Sequence, residues 1–120
     1  MEGNDVLVYE GAIIKETLTD ELLLDYVTID KVDLWKTTDT EIKYWTMIFF
    51  HSDTDDFPER LAETIIDGGW FADLKQGNRK YIIFKNKVLQ YEIGNAAEKE
   101  AVLDACRLRG IPDSQFNWSE

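Results

Sequence analysis

The feature that most constrains the fold is a predicted strand, Ile42 to His51, that is apolar on both of its faces. Successive side chains of a strand point to opposite sides of a sheet, so one face of this strand carries Trp45, Met47 and Phe49. The other face carries Ile42, Tyr44, Ile48 and Phe50. Both faces need cover, and a sheet with helices on only one side leaves one of them open.

Two interpretations of the second face remain open at this point. In the first, C-terminal segments that carry Phe116 and Trp118 fold across it. In the second, Trp45, Met47 and Phe49 form an interaction surface for a second copy, another protein or a small molecule. We predict a homodimer through this surface, because an open apolar face favours association and twofold pairing is the commonest arrangement among soluble homo-oligomers.

The rest of the chain reads as alternating strands and helices. Before the two-sided strand, the pattern predicts a hairpin of Val6 to Tyr9 and Ala12 to Lys15 around Glu10-Gly11, a helix from Asp20 to Tyr26 capped by Thr19, and a strand from Thr28 to Lys36. After it, the pattern predicts a helix from about Pro58 to Gly68-Gly69, and then three strands at Trp70 to Leu74, Lys80 to Phe84 and Val88 to Glu92. A final helix is predicted to be capped by Asn95 and to bury Ala101, Val102, Ala105 and Leu108.

This order of elements predicts the fold class. Strand, helix, two strands, helix and strand is the split βαβ order of a ferredoxin-like α+β sandwich, here with a mainly antiparallel sheet, extra strands and three helices. The chain has 120 residues, and neither a linker nor a low-complexity run divides it. We therefore expect one domain over residues 1–120.

Composition excludes several classes of function. The chain has a single cysteine and begins without a basic, apolar leader, which indicates a reducing cytoplasm. Apolar runs fall far short of the roughly 20 residues of a membrane span, so we expect no membrane partner. A net charge of −11 argues against nucleic acid, because Lys and Arg supply most of the affinity for phosphates.

A basic segment interrupts this acidic background. It holds Lys75, Arg79, Lys80, Lys85 and Lys87 and no acidic residue. One interpretation is a solvated hairpin whose lysines discourage edge pairing and contribute little to stability. The other is a patch that binds an anion or an acidic partner.

Every catalytic arrangement that the sequence offers is incomplete. His51 is the only histidine, and Cys106 lies late in its predicted helix, where a thiolate is not favoured; we expect a buried, inert thiol. The acidic run Asp53, Asp55 and Asp56 lacks the glycine and glutamate of a calcium loop, and is expected to cap a helix. We predict no cofactor and no metal, and a non-enzymatic binding or protein-interaction module; the alternative is a small enzyme that uses the carboxylates of Asp53, Asp55, Asp56 and Asp73.

Three segments carry a resemblance to known proteins. They are Gly-Trp-Phe-Ala-Asp-Leu from Gly69 to Leu74, Lys-Tyr-Ile-Ile-Phe-Lys-Asn-Lys-Val from Lys80 to Val88, and Gly110-Ile111-Pro112 with Gln115 and Trp118. Together they resemble a family of small uncharacterised bacterial and archaeal proteins. The resemblance implies a compact, stand-alone α+β protein of unknown function, and it carries over no active-site residue.

Overall fold

The computed structural model describes residues 8–38 and 41–120. The strands are β1 (Tyr9–Ile14), β2 (Thr28–Lys36), β3 (Tyr44–Ser52), β4 (Ala72–Gln76), β5 (Arg79–Phe84) and β6 (Lys87–Glu92). The α-helices are α1 (Phe57–Thr64) and α2 (Ala96–Leu108), and 3₁₀ helices span Lys15–Thr17, Glu21–Tyr26 and Asp113–Gln115. None of the described helices is both long and apolar enough to cross a membrane.

The strands form one sheet in the order β2-β3-β1-β4-β5-β6, and each neighbouring pair is antiparallel. The predicted α+β class and mainly antiparallel sheet are therefore confirmed. Strand β1 lies in the middle, where it joins the β2–β3 hairpin to the β4–β5–β6 meander. The hairpin and the meander match their predicted positions to within two residues.

Each face of the sheet has its own hydrophobic core. On one side, which we call the α1 face, helix α1 and the 3₁₀ helix Glu21–Tyr26 cover side chains from β1, β3, β4 and β5; the buried set includes Ile13, Leu23, Ile48, Phe50, Phe57, Leu61, Leu74 and Ile83. On the other side, the α2 face, α2 and the C-terminal segment cover only β5 and β6 and the chain entering β4, with Ile82, Phe84, Tyr91, Val102, Cys106 and Ile111 buried. Among the described residues, this second core includes no side chain of β1, β2 or β3.

The predicted N-terminal hairpin is wrong. Residues Tyr9–Ile14 form one continuous strand that runs through Glu10 and Gly11 without a turn; Val6 and Leu7 lie outside the described residues. Gly11 serves close packing instead, because a Cβ there would overlap the main-chain oxygen of Asp73 on β4. The glycine lets two central strands approach, a role that local sequence does not distinguish from a turn.

Two expectations about the ends of the helices are also wrong. The 3₁₀ helix at Glu21–Tyr26 is capped by Asp20, whose carboxylate accepts from the Leu22 amide at 2.9 Å, and not by Thr19. Helix α1 ends at Thr64, before the predicted Gly68-Gly69 stop, because Ile65 is extended and bridges to Leu18.

Helix α2 begins as predicted, with the Asn95 side chain accepting from the Glu98 amide at 3.1 Å. Its buried face differs from the predicted one. Val102 and Cys106, four residues apart, lie in the core, while Ala101 is exposed and Leu108 is 91% exposed. At 100° per residue, Ala101 and Leu108 fall well to one side of the Val102–Cys106 stripe.

Candidate functional site: a tryptophan-lined cleft

The open part of the α2 face holds a cleft of about 470 Å³. Its lining comes from three parts of the chain: the sheet, the segment before β4 and the C-terminal segment. The residues are Ile14, Trp35, Trp45, Gly69, Trp70, Phe71, Ser114, Gln115 and Asn117. Three of the four tryptophans of the chain therefore meet at one place.

Strand register positions the first two tryptophans. Trp35 on β2 lies directly opposite Trp45 on β3, so both rings stand on the same face of the hairpin. The indole N–H of Trp45 donates to the carbonyl of Ile42 at 2.8 Å, which fixes the ring without a ligand. Trp35 remains 45% exposed and forms the outer wall.

The third tryptophan arrives from a distant segment. Trp70 follows Gly68-Gly69, and its ring packs edge-on against Trp45, with centroids 5.6 Å apart and planes at 72°. Edge-to-face packing of this kind stabilises an aromatic pair beyond its area burial. The contact joins the segment before β4 to the β2–β3 hairpin.

The opposite wall of the cleft is the C-terminal segment, which two anchors hold in place. The guanidinium of Arg107 donates two hydrogen bonds of 3.0 Å to Asp113, and these bonds hold the pKa of the Asp113 carboxyl below its usual range. Further along, Trp118 packs edge-on against Phe71 and donates its indole N–H to the Tyr91 hydroxyl at 3.0 Å.

The Tyr91 hydroxyl donates in turn to the carboxylate of Glu120. This bond lowers the pKa of Glu120, while burial raises the pKa of Tyr91 to about 12. The network ties the end of the C-terminal segment to β6.

The polarity of the cleft is distinctive. Its lining is aromatic and aliphatic except for Ser114, Gln115 and Asn117, which offer hydroxyl and amide groups along one rim. The described residues that line it include no Asp, Glu, Lys, Arg or His, although the chain as a whole is strongly acidic. The cleft can hold an apolar molecule and form hydrogen bonds to polar atoms at that molecule's edge. The described residues of its lining provide no charged group to pair with a charged ligand.

The predicted interaction surface is divided between this cleft and its surroundings. Trp45 lines the cleft, whereas Met47 and Phe49 are half-buried farther along the same face of β3. The ammonium of Lys31 lies over the Phe49 ring at 5.3 Å from its centroid. Phe116 and Trp118 pack with Phe71 over the meander, so the C-terminal segment borders the open face and leaves the cleft beside Trp45 uncovered.

The five basic residues do not share one face. Lys75 and Lys80 stand directly opposite each other on the α2 face, whereas Arg79 points to the α1 face and bonds Gln90 at 2.9 Å. The Lys85 ammonium donates to the main-chain oxygen of Glu63 at 2.5 Å. Lys87 is exposed at the start of β6.

The expectation that Lys80 is a solvated surface lysine is wrong. It is only 3% exposed, and its ammonium pairs with the Asp73 carboxylate at 2.9 Å. A core position on β5 requires this pairing, because an unpaired buried charge is strongly destabilising.

The other candidate residues lie apart from the cleft. The His51 ring nitrogen Nδ1 lies 2.9 Å from Asp30 at a β-bulge in β2. Cys106 is buried as predicted, and burial raises the pKa of its thiol to about 11. Among residues 8–38 and 41–120, no group of three His, Cys, Asp or Glu side chains could hold a metal ion.

The predicted carboxylates are not gathered into one site. Asp53, Asp55 and Asp56 are in the exposed connection between β3 and α1, and Asp56 pairs with Arg60 at 2.8 Å. Asp73 is on β4, where its carboxylate is paired with the ammonium of Lys80. Where the pKa of a described carboxyl is displaced, at Glu16, Asp113 and Glu120, it is displaced downward, opposite to what a general acid needs.

Sequence reasoning missed Trp35, Trp70 and the amide rim. The register of the predicted hairpin carries a signal for Trp35, because pairing Lys36 with Tyr44 places Trp35 opposite Trp45. Trp70 and the rim have no comparable local signal, since they reach the cleft through tertiary packing.

Comparison of the chain with protein-family profiles, curated protein sequences and solved structures found no match. The resemblance to a family of small bacterial and archaeal proteins therefore stays a prediction. Function is inferred from the geometry of the cleft.

Proposed function

We propose that this protein is a cytoplasmic, non-enzymatic binding module and that its ligand is a small, flat, uncharged molecule held in the tryptophan-lined cleft. The observation that carries the proposal is the convergence of Trp35, Trp45 and Trp70 on one cleft. An enzyme based on carboxylates is less well supported, because Asp56 and Asp73 are engaged with basic partners.

The size and chemistry of the cleft favour a small molecule. Its volume of about 470 Å³ falls within the roughly 300–1,000 Å³ of ligand pockets. Such pockets are mostly apolar with a few placed polar groups, which here are Ser114, Gln115 and Asn117. A charged ligand would lose its hydration without gaining a countercharge.

We also propose that residues 9–76 form a ferredoxin-like core. Strands β1 to β4 follow the order β2-β3-β1-β4 in the sheet, with helical segments between β1 and β2 and between β3 and β4. Both helical segments pack on the α1 face. In this proposal β5, β6 and α2 are the addition that builds the far wall of the cleft.

The test uses Nile red, an uncharged, flat dye, and follows its fluorescence as the protein is titrated. We expect saturable binding with a blue shift, and quenching of the tryptophan emission. Trp35→Ala removes the outer wall and should weaken binding at least about fivefold, the loss expected when a main contact residue is truncated.

Leu34→Ala is the matched control. Leu34 is the adjacent residue on β2, is 69% exposed and points to the opposite face of the sheet, so the cleft is unchanged. Equal binding by the two variants, or a loss confined to Leu34→Ala, would show that the dye occupies another apolar surface and would refute the cleft as the site.

A further inference from the structure

Strand β2 is a long, exposed edge of the sheet. Its nine residues pair only with β3 among the described strands. Eight of the nine are exposed, and they include the apolar side chains Ile29, Val32, Leu34 and Trp35. Exposed edges of this length are sites for pairing with another strand.

The ladder with β3 shows which main-chain groups of β2 face outward. The Thr37 amide donates to the Lys43 carbonyl at 2.6 Å, and antiparallel ladders alternate hydrogen-bonded and non-hydrogen-bonded pairs. Trp35 and Asp33 therefore bond β3. The N–H and C=O groups of Val32 and Leu34 point to the free edge.

We propose that two copies of this chain associate through β2, antiparallel, about a twofold axis at Val32. An axis perpendicular to the sheet keeps the α1 face of one copy next to the α1 face of the other. Side chains alternate between the two faces along a strand, so directly opposed residues must both be even-numbered or both be odd-numbered. The pair on the axis is therefore one residue and the same residue of the other copy. With Val32 at the centre, each copy donates its Val32 amide to the Val32 carbonyl of the other.

Charge complementarity selects this register. Centring on Val32 places Lys31 of each copy opposite Asp33 of the other, in a non-hydrogen-bonded pair where side chains are closest. Within one chain these two groups already lie on the same face, with Lys31 Nζ 3.2 Å from the Asp33 carboxylate. The twofold axis would therefore assemble a ring of four alternating charges.

The neighbouring registers lack this complementarity. Centring on Asp33 would oppose two identical carboxylates, which is unfavourable. Centring on Leu34 would place Asp33 opposite Trp35 and Lys31 opposite Thr37. In neither of these two registers does a carboxylate lie directly opposite Lys31.

The same register covers apolar surface on the α1 face. Val32 is 53% exposed in the single chain and would contact its own copy. Leu34 would lie diagonal to Val32 of the other copy, within reach of a long side chain. These apolar contacts lie on the face opposite the tryptophan cleft, whereas Lys31 and Asp33 lie on the same face as Trp35.

The experiment measures mass by sedimentation over micromolar to millimolar protein concentrations. We expect the native chain to dimerise. Lys31→Asp places a carboxylate on both sides of each cross-strand pair, and Asp33→Lys places an ammonium on both sides. Each single variant should therefore dimerise at least about tenfold more weakly, since two attractive cross-strand pairs become repulsive. Circular dichroism of each variant checks that the fold is retained.

Mixing the two single variants is the decisive step. A heterodimer of Lys31→Asp with Asp33→Lys restores both opposite-charge pairs in the Val32-centred register and should regain the native affinity. Lys36→Asp is the matched control and should dimerise like the native chain. The proposal is overturned if the native chain stays monomeric at every concentration, or if neither charge reversal weakens the dimer. It is also overturned if the mixed variants associate with no higher affinity than either variant alone.

Discussion

The buried ion pair between Lys80 and Asp73 allows a quantitative prediction about stability. The Lys80 side chain is 4% exposed and that of Asp73 is 23% exposed, with 2.9 Å between the ammonium and the carboxylate. Removing one partner of a buried pair costs about 3–5 kcal/mol, because the remaining charge stays buried without compensation. Asp73 touches solvent, so we expect Asp73→Ala to cost about 3 kcal/mol, near the lower end of that range.

The opposite substitution should behave differently. Lys80→Met keeps the apolar stem that packs in the sheet and removes the buried charge, and such replacements are often neutral or stabilising. Asp73 can then turn its carboxylate toward water. We expect Lys80→Met to lie within about 1 kcal/mol of the native chain, and Asp73→Ala to cost little in that background.

Urea unfolding followed by tryptophan fluorescence measures all four members of this cycle, native, two single variants and the double variant. Asp73→Ala should lower the thermal midpoint by about 10 °C for a chain of this size. Lys75→Met is the control, since Lys75 lies directly opposite Lys80 but is half-buried. A cost below about 1 kcal/mol for Asp73→Ala, or an equal cost with and without Lys80, would refute the argument from burial.

Three further predictions concern packing and titration. Gly11→Ala should destabilise the chain by about 1–3 kcal/mol in urea unfolding, because its Cβ would overlap the main chain of β4, whereas Gly69→Ala, with open space around it, should not. Cys106 should react slowly with a thiol reagent at about pH 8 and rapidly in concentrated urea, because burial raises its pKa to about 11. Burial raises the pKa of Tyr9 and Tyr91 to about 12; since the unfolded phenols ionise near pH 10, stability should fall as the pH rises from about 10 to 12, less steeply in Tyr91→Phe.

Elements set by local pattern were predictable from the sequence. The β2–β3 hairpin and the β4–β5–β6 meander follow from alternating apolar residues between turn-forming residues, and α2 follows from the Asn95 cap. The continuous course of β1 through Glu10 and Gly11 was not predictable in the same way. A Glu-Gly dipeptide favours a turn locally, and only the neighbouring strand β4 makes the glycine a point of close approach.

The difference between local pattern and long-range packing also separates Lys80 from Lys85, for which the sequence predicts the same environment. Lys80 and Lys85 both occur in a basic, turn-flanked segment, yet one is buried against Asp73 and the other reaches a main-chain oxygen of α1. The alternation of β5 already places Lys80 on the same side as Ile82 and Phe84. The alternation does not show whether that side of the sheet is covered. The cover comes from α2, which packs there from a distant part of the chain.

The cleft depends on the same long-range cover. Trp35 and Trp45 are placed by hairpin register, which a sequence can supply. Trp70 is placed by the segment before β4, where it packs against Trp45. The amide rim belongs to the C-terminal segment, whose apolar side chains pack on β5 and β6 and not on β3. The two-sided strand predicted that its second face needs cover, and in the structure Trp45, Met47 and Phe49 on that face are only partly buried. Because that cover is partial, Met47 and Phe49 are half-buried, while Trp45 becomes the floor of a cleft.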